Sequence, residues 1–359
     1  MRFGLGPYEL GSEGSKPLVE SYEQMLEQAA YAEELGFDSV WVGESHFSAE
    51  GGCPSSETAA AAVAVRTHAV RIGVMPTLAL ANPLYVAEDV AVLDSIAKGR
   101  VIVAAQKATA QELAALKIKE KDSDSRFLEA LKVALKSWAP TSFAHAGEHW
   151  KLPGKDFKGN PFAEGVNEIN VTPKPAQLSM PVWIAARDQA GVEQAARLGF
   201  SWLGSPIDTF AEIKAKNELY RKTLAATGRM VEGVLFPIVR ELYMGETMQE
   251  ARADVEQGVL ALYQAYHRRG LIAGAPKSFD ALARDRFIIG DVDHVAGEIE
   301  RYHREAGVNY LICRMSFPGV SQTKTMAAIK FFGEAVVPEF RMAAFPSEIR
   351  KRKRASSVV

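Results

Sequence analysis

Three short segments of the 359-residue chain gather side chains that can move protons or hold anions. The first is Gly43-Glu44-Ser45-His46-Phe47, where a carboxylate, a hydroxyl and an imidazole follow directly on an apolar run. A histidine so placed can shuttle a proton near neutral pH, or simply hydrogen-bond a neighbouring loop. The second, Gln106-Lys107-Ala108-Thr109, follows the run VIVAA and sets a cation where a phosphate could be met, although a lone lysine is as often solvated surface. The third, Ala186-Arg187-Asp188-Gln189-Ala190-Gly191, leads into a helix whose first amides could bind a phosphate. Asp188 reads first as the N-cap of that helix. Two prolines bracket a further loop, in Met75-Pro76-Thr77 and Asn82-Pro83, and Arg314-Met315-Ser316 follows the last apolar run.

These segments share a position, each standing at the end of a hydrophobic run. Eight such runs are legible, at 2–6, 38–42, 71–77, 100–105, 181–185, 200–204, 234–242 and 310–314. Between them lie stretches of helical spacing, among them 22–35, 58–66, 86–96, 126–138 and 191–198. Runs apolar on both faces, such as VIVAA and VWIAA, belong in a parallel sheet covered by helices, and eight βα units fit a single closed (β/α)8 TIM barrel better than an open sheet. In such a barrel the ends of the strands converge on one mouth, which brings the three segments together. Two Gly- and Pro-containing regions, 139–180 and 270–285, interrupt the alternation as insertions after strands four and seven. The phrase helix, glycine, strand recurs at EELGFDSVWV, AARLGFSWLG and REAGVNYLIC, where each glycine can end a helix in the left-handed conformation. Residues 1–345 read as one barrel domain and 346–359 as a basic, solvated tail.

Bulk composition excludes several classes. A formal net charge of −2 gives no field to attract nucleic acid or an anionic membrane, so a small molecule is the expected partner. The start MRFGLGPYEL has no basic, apolar leader, and no run approaches the length of a membrane span, so the expected location is the cytoplasm. Two cysteines, Cys53 and Cys313, make no disulfide framework or zinc motif. Dinucleotide, phosphate-loop and nucleophile-elbow signatures are absent from the sequence. His145 and His149 stand four apart in HAGEH, a stretch that does not read as helical, so no metal is expected.

The segments GFDSVWVGESHF, RIGVMPTLALANPLYVAEDVAVLDSIAKGR, VTPKPAQLSMPVWIAA and FIIGDVDHVAGEIERYHREAGVNYLICRMSFPGV, followed by FFGEAVVPEF, in this order resemble the luciferase-like flavin monooxygenase family, from Arg2 to about Arg341. The resemblance implies a barrel that binds FMN, received in reduced form from a partner flavin reductase. Its ring would lie in the mouth and its phosphate near the ends of strands four and five. Members commonly use dioxygen to place one oxygen atom in a small organic substrate through a flavin peroxide. Ser45 and His46 fall on a pair that is often His-His in luciferases and Asp-His in deazaflavin-dependent relatives. His46 fits and Ser45 departs, which leaves proton transfer to His46, to Glu44 or to a water they hold.

Met75, Pro76 and Thr77 fall under the place of the ring, where the family has an unusual cis peptide, so the resemblance raises the expectation of a cis Met75–Pro76 bond. Lys107 replaces an arginine on the phosphate, keeping the charge and losing the bidentate fork. Gln106 and Ala108 stand where small residues are common. Ala186, Arg187, Asp188 and Gly191 occupy the phosphate loop, where a carboxylate is unfavourable unless turned away and Arg187 would reach the phosphate itself. Region 270–285, with Gly270 and Gly274, is either a lid that excludes water or an ordinary surface loop. A homodimer through the early helices is expected. Two other readings remain beside the oxygenase: a deazaflavin-dependent hydride transferase, and a flavin- or ligand-binding barrel without turnover.

Overall fold

The computed structural model describes residues 1–8, 18–47, 52–154 and 167–342; the basic tail and Gly51 lie outside them. Strand and helix alternate from the start, as β1 (Arg2–Tyr8), α1 (Leu18–Glu34), β2 (Ser39–Val42), α2 (Ser56–Arg66), β3 (Arg71–Val74), α3 (Pro83–Ile96) and β4 (Val101–Gln106). A longer excursion then carries α4 (Ala110–Ala115), α5 (Ser123–Trp138) and an antiparallel hairpin of β5 (His145–Ala146) and β6 (Lys151–Leu152). The alternation resumes with β7 (Val182–Ala185), α6 (Gln189–Leu198), β8 (Ser201–Leu203), α7 (Phe210–Ala226), β9 (Pro237–Met244), α8 (Met248–Arg268), α9 (Phe279–Ala283), β10 (Ile288–Gly290), α10 (Val292–Ala306) and β11 (Tyr310–Arg314). Helices α11 (Gln322–Ala335) and α12 (Val337–Met342) complete the described chain.

Nine strands form one parallel, curled sheet in the order β10-β9-β11-β1-β2-β3-β4-β7-β8. Beyond the edge strand β8, Gly204 bridges to Ile238 of β9: its N–H donates to Pro237 O at 2.9 Å, and Val239 N–H donates to Gly204 O at 3.0 Å. Strands with both faces covered must be apolar throughout, and SVWV and VIVAA are buried at every position. Helices cover the outer face, where Phe3 meets the Phe332 ring edge-on at 5.4 Å. The three glycines of the recurring phrase have the expected left-handed φ: Gly36 at 82°, Gly199 at 81° and Gly307 at 72°. Among the described residues no helix is long and apolar enough to cross a membrane.

The inner face holds a second core of Trp41, Met75, Ile102, Ala104, Trp183, Leu203, Val239, Tyr310 and Ile312. Trp41 is fully buried at its centre and stacks on Trp183 at 4.8 Å. The indole N–H donates to Ser39 Oγ at 2.7 Å, and Tyr310 Oη donates to the same hydroxyl at 2.7 Å, so the buried polar atoms are satisfied. Room for the indole comes from its neighbours. A Cβ on Gly73 would lie 2.1 Å from Trp41 Cε3, and one on Gly4 would lie 2.9 Å from its Nε1.

Two features differ from the sequence reading. The Met75–Pro76 bond is not among the cis bonds, which fall at Gly6–Pro7, Leu152–Pro153 and Thr172–Pro173. The trans bond is set by pairing: Pro76 O accepts from Gln106 N at 3.1 Å and Thr77 bridges Gln106 in parallel, so the chain continues alongside β4 after β3 ends. The seventh run is displaced to 237–244, and its last three residues pair with the short strand β10, which hydrophobic patterning did not single out. His145 and His149 serve the hairpin. Glu129 accepts from His145 Nε2 at 3.0 Å, Trp150 N at 2.8 Å and His149 N at 3.0 Å.

Gly73→Ala is expected to cost about 1–3 kcal/mol of stability, because the new methyl must displace a ring that has nowhere to go. Urea unfolding checks this through a lower midpoint at an unchanged slope; an unaltered midpoint would show that the indole can shift.

Candidate active site

A cavity of about 660 Å³ opens at the carboxyl ends of the parallel strands. Its floor is the top of the inner core, where Met75, Leu203 and Val239 face it. Of the residues read from the sequence, Glu44, Ser45, Met75, Gln106, Lys107, Ala186, Arg187 and Asp188 line it. His46, Pro76, Thr77 and Gly191 stand behind that lining and act on it through hydrogen bonds.

Glu44 organises one wall. Its Oε1 accepts from His46 Nε2 at 3.1 Å and from Thr77 N at 2.8 Å, and its Oε2 accepts from Ser56 Oγ at 3.2 Å. Gln106 Nε2 donates to Glu44 O at 2.8 Å and to Thr77 Oγ1 at 2.9 Å, which fixes the amide against the end of β2. His46 is held twice, since its backbone N–H also donates to Glu112 Oε1 at 3.0 Å. Glu112 in turn forms a capping box with Thr109 at the start of α4. Two buried carboxylates thereby join the loops after β2, β3 and β4. The hydrogen bond to Glu44 raises the His46 imidazole above its ordinary value, against the opposing effect of burial. Glu57, the neighbour of Ser56, is pushed up to about 7 by burial and by the charge of Glu44.

The opposite wall is cationic, and much of it is already engaged. Lys107 Nζ lies 2.8 Å from Asp124 Oδ1 and 3.6 Å from Asp188 Oδ2. Asp188 is the N-cap of α6, its Oδ1 accepting from Gly191 N at 2.6 Å. A Cβ on Gly191 would lie 2.5 Å from Ala186 Cβ, so glycine is required there by the close approach of helix to strand. The lysine and the helix terminus read as a phosphate site are therefore occupied by the chain's own carboxylates. Arg187, exposed at the rim, and Arg269, which follows α8, also line the cavity. Lys216 Nζ, donating to Arg187 O at 2.6 Å and to Asp208 Oδ1 at 2.8 Å, holds the loop that carries Arg187.

Sequence reasoning passed over a buried ion pair beside the floor. Arg314 Nη1 lies 3.2 Å from Glu241 Oε1 and also contacts Tyr266 Oη. Both Arg314 and Tyr266 line the cavity. Burial pushes the Glu241 carboxyl up, and the Arg314 charge opposes that shift. The available signal was charge in two strands otherwise apolar, Arg240 and Glu241 within PIVRELYM and Arg314 at the end of YLICR.

A cavity at the carboxyl ends of a parallel sheet, with a polar wall set against an apolar floor, defines an α/β protein that takes a small-molecule ligand at its strand ends. The chain belongs to the luciferase-like monooxygenase family, whose sequence profile matches residues 3–310. It is 26% identical to an F420-dependent glucose-6-phosphate dehydrogenase of Amycolatopsis mediterranei, over 91% of this chain and 98% of that one. It is 22% identical to the oxygenase component of the flavin-dependent trigonelline monooxygenase of Acinetobacter baylyi, over 95% and 96% of the two chains. The fold matches the crystal structure of the monooxygenase RslO1 from Streptomyces bottropensis at a TM-score of 0.82 and 24% identity, covering 95% of this chain and all of that one (100%). Both enzyme types among these relatives are oxidoreductases.

His46 bears on stability with a definite sign. Its raised value in the folded state means that protonation favours the fold at pH below its ordinary value of about 6.5, a contribution lost as the pH rises through the raised value. Replacement of His46 by Gln is expected to destabilise most at acidic pH. Thermal unfolding of both proteins across this range measures it, and a gap that fails to narrow on going alkaline contradicts it.

Proposed function

We propose that the chain is an FMN-dependent monooxygenase, which takes reduced FMN from a separate flavin reductase and uses dioxygen to oxygenate a small organic substrate. We further read eight of the nine strands, all but the short β10, as a closed (β/α)8 barrel within one domain of residues 1–345, a reading supported by the bridge between Gly204 and Ile238. The observation that carries the functional reading is the cavity itself. In a chain of this family it has an apolar floor of Met75, Leu203 and Val239 beside the fixed polar wall of Glu44 and Gln106. Its volume lies within the range of about 300–1,000 Å³ usual for small-molecule sites.

The residues fit a flavin with one departure. The floor suits a planar aromatic ring, and Gln106 offers a fixed amide beside it. Lys107 and the start of α6 are taken by Asp124 and Asp188, so Arg187 and Arg269 at the rim are the groups that would neutralise a phosphate. When bound, reduced FMN supplies the two electrons and the site at which dioxygen is activated. The chain's own residues exclude water and manage protons. Glu44 faces the cavity with one oxygen on His46 Nε2, so a proton on the imidazole is available through the carboxylate rather than by direct contact. Ser45 lines the cavity as a hydroxyl donor in place of a base. Gly270 and Leu271 line the mouth, which favours the first part of 270–285 as the lid. Further on, Arg252 pins Asp280 and Arg301 pins Asp285.

A second reading, hydride transfer with a deazaflavin, is favoured by the 26% identity to the F420-dependent relative along 98% of its length. Fluorescence titration separates the two. Wild type is expected to bind FMN more tightly than riboflavin, and Arg187→Ala to weaken FMN about tenfold, or about 1.4 kcal/mol, while leaving riboflavin unchanged. An unchanged FMN affinity would remove Arg187 from the phosphate, and preferential binding of the deazaflavin would favour hydride transfer.

The same reading makes the protein a homodimer through its early helices. The outward, exposed Val65 on α2 and Tyr85, Val92 and Ile96 on α3 support it, an apolar surface that a partner copy would cover. Sedimentation is expected to show a dimer for wild type and a monomer for Tyr85→Lys combined with Val92→Lys; identical profiles would argue against this face.

A further inference from the structure

We propose that Glu57, Ser56 and Glu44 form a proton relay that opens on the cavity, with Glu57 as the stored acid. Ser56 is fully buried at the start of α2, and its Oγ lies 3.0 Å from Glu57 Oε2 and 3.2 Å from Glu44 Oε2. A hydroxyl has one proton to donate and two lone pairs that accept. Were both carboxylates ionised, Ser56 could satisfy one, and the other would hold an oxygen lone pair against the buried serine oxygen. A proton on Glu57 removes the conflict. Glu57 then donates to Ser56 Oγ, Ser56 donates to Glu44 Oε2, and the three groups form a directed chain.

The remaining contacts give that chain two ends. Glu57 is partly exposed, which lets solvent recharge it. Glu44 lines the cavity and accepts from His46 Nε2 and Thr77 N on its other oxygen. Transfer is balanced: a proton leaves Glu57 for Ser56 Oγ as the Ser56 proton passes to Glu44 Oε2, and the carboxyl pair keeps a net charge of −1. An acceptor in the cavity then takes the proton from Glu44, and water restores the one on Glu57.

The surrounding charges favour the protonated acid. Glu57 feels Glu44 at the end of β2 and Asp89 on α3. Glu112 on α4 acts on His46, and the Cys53 thiol, which burial pushes up, feels both carboxylates and hydrogen-bonds with Tyr22 of α1. Of these groups His46 alone can carry positive charge, and its hydrogen bond goes to Glu44, so Glu57 is left as the member that keeps a proton to about pH 7. The arrangement also supplies an acid on a wall where Ser45 provides none.

The relay's use rests on the oxygenase reading, and its existence does not. Carboxyl-carbon NMR of protein carrying isotope-labelled glutamate tests it without any flavin. One glutamate titrating near pH 7 is expected in wild type, absent in Glu57→Gln and displaced towards the ordinary carboxylate range in Glu44→Gln. Ordinary titration of every glutamate in wild type overturns the relay. The rate at which dioxygen reoxidises reduced FMN bound to the protein provides the second measurement. Its pH profile is expected to bend near 7 in wild type and to lose the bend in both Glu57→Gln and Ser56→Ala. A bend retained in Ser56→Ala overturns transfer through the serine. Wild type that binds no FMN sinks the oxygenase reading instead, and the NMR titration still decides the shared proton.

Discussion

The depth of the site is set by one indole. Trp41 fills the interior of the curled sheet, stacked on Trp183 and hydrogen-bonded to Ser39, and the cavity begins above the cluster it centres. A side chain of that size fits inside a ring of strands only where its neighbours have given up their own Cβ atoms, which is the part played by Gly4 and Gly73. Protein interiors are packed too densely to absorb a misplaced ring, so the height of the floor is fixed rather than adjustable. Met75, Leu203 and Val239 are presented to a ligand because they stand on this plug.

Above the floor, charge is arranged unevenly. One wall is anionic and tightly bonded, with Glu44 and Glu112 joining three loops that chain connectivity leaves separate. The other is cationic, and its best-placed lysine is neutralised by aspartates while the arginines stay at the rim. A ligand's negative group would meet Arg187 and Arg269 on this wall, where Asp124 and Asp188 also line the cavity. An aromatic body continues to the floor. On the oxygenase reading, this division would separate binding from proton handling within a single cavity.

Much of this was legible in the sequence, for physical reasons that can be named. The alternation of doubly apolar runs with helical spacing gave the parallel sheet, and EELGF, AARLGF and REAGV announced helix ends because only glycine takes the left-handed turn without strain. The strand-end rule brought Glu44, Gln106 and Asp188 to one mouth, and the N-cap role of Asp188 followed from its place before a helix. What stayed hidden depends on distance along the chain. Lys107 finds Asp188 and Arg314 finds Glu241 across gaps that no local pattern encodes. The Met75–Pro76 bond is trans because β4 pairs with the residues that follow it, a matter of register between strands rather than of either residue. Glu57 carried no signal in the sequence, because its link to Glu44 through Ser56 joins two segments that lie apart along the chain.

The buried pair of Arg314 and Glu241 has a consequence for descent as well as for shape. Removing either partner strands an uncompensated charge in the interior and costs about 3–5 kcal/mol, whereas a well-packed apolar replacement of both can be neutral. A lineage can therefore reach the apolar alternative only through a poorly folding ancestor or by two changes at once. The two positions are therefore expected to change together or not at all, although they lie on strands far apart in the gene.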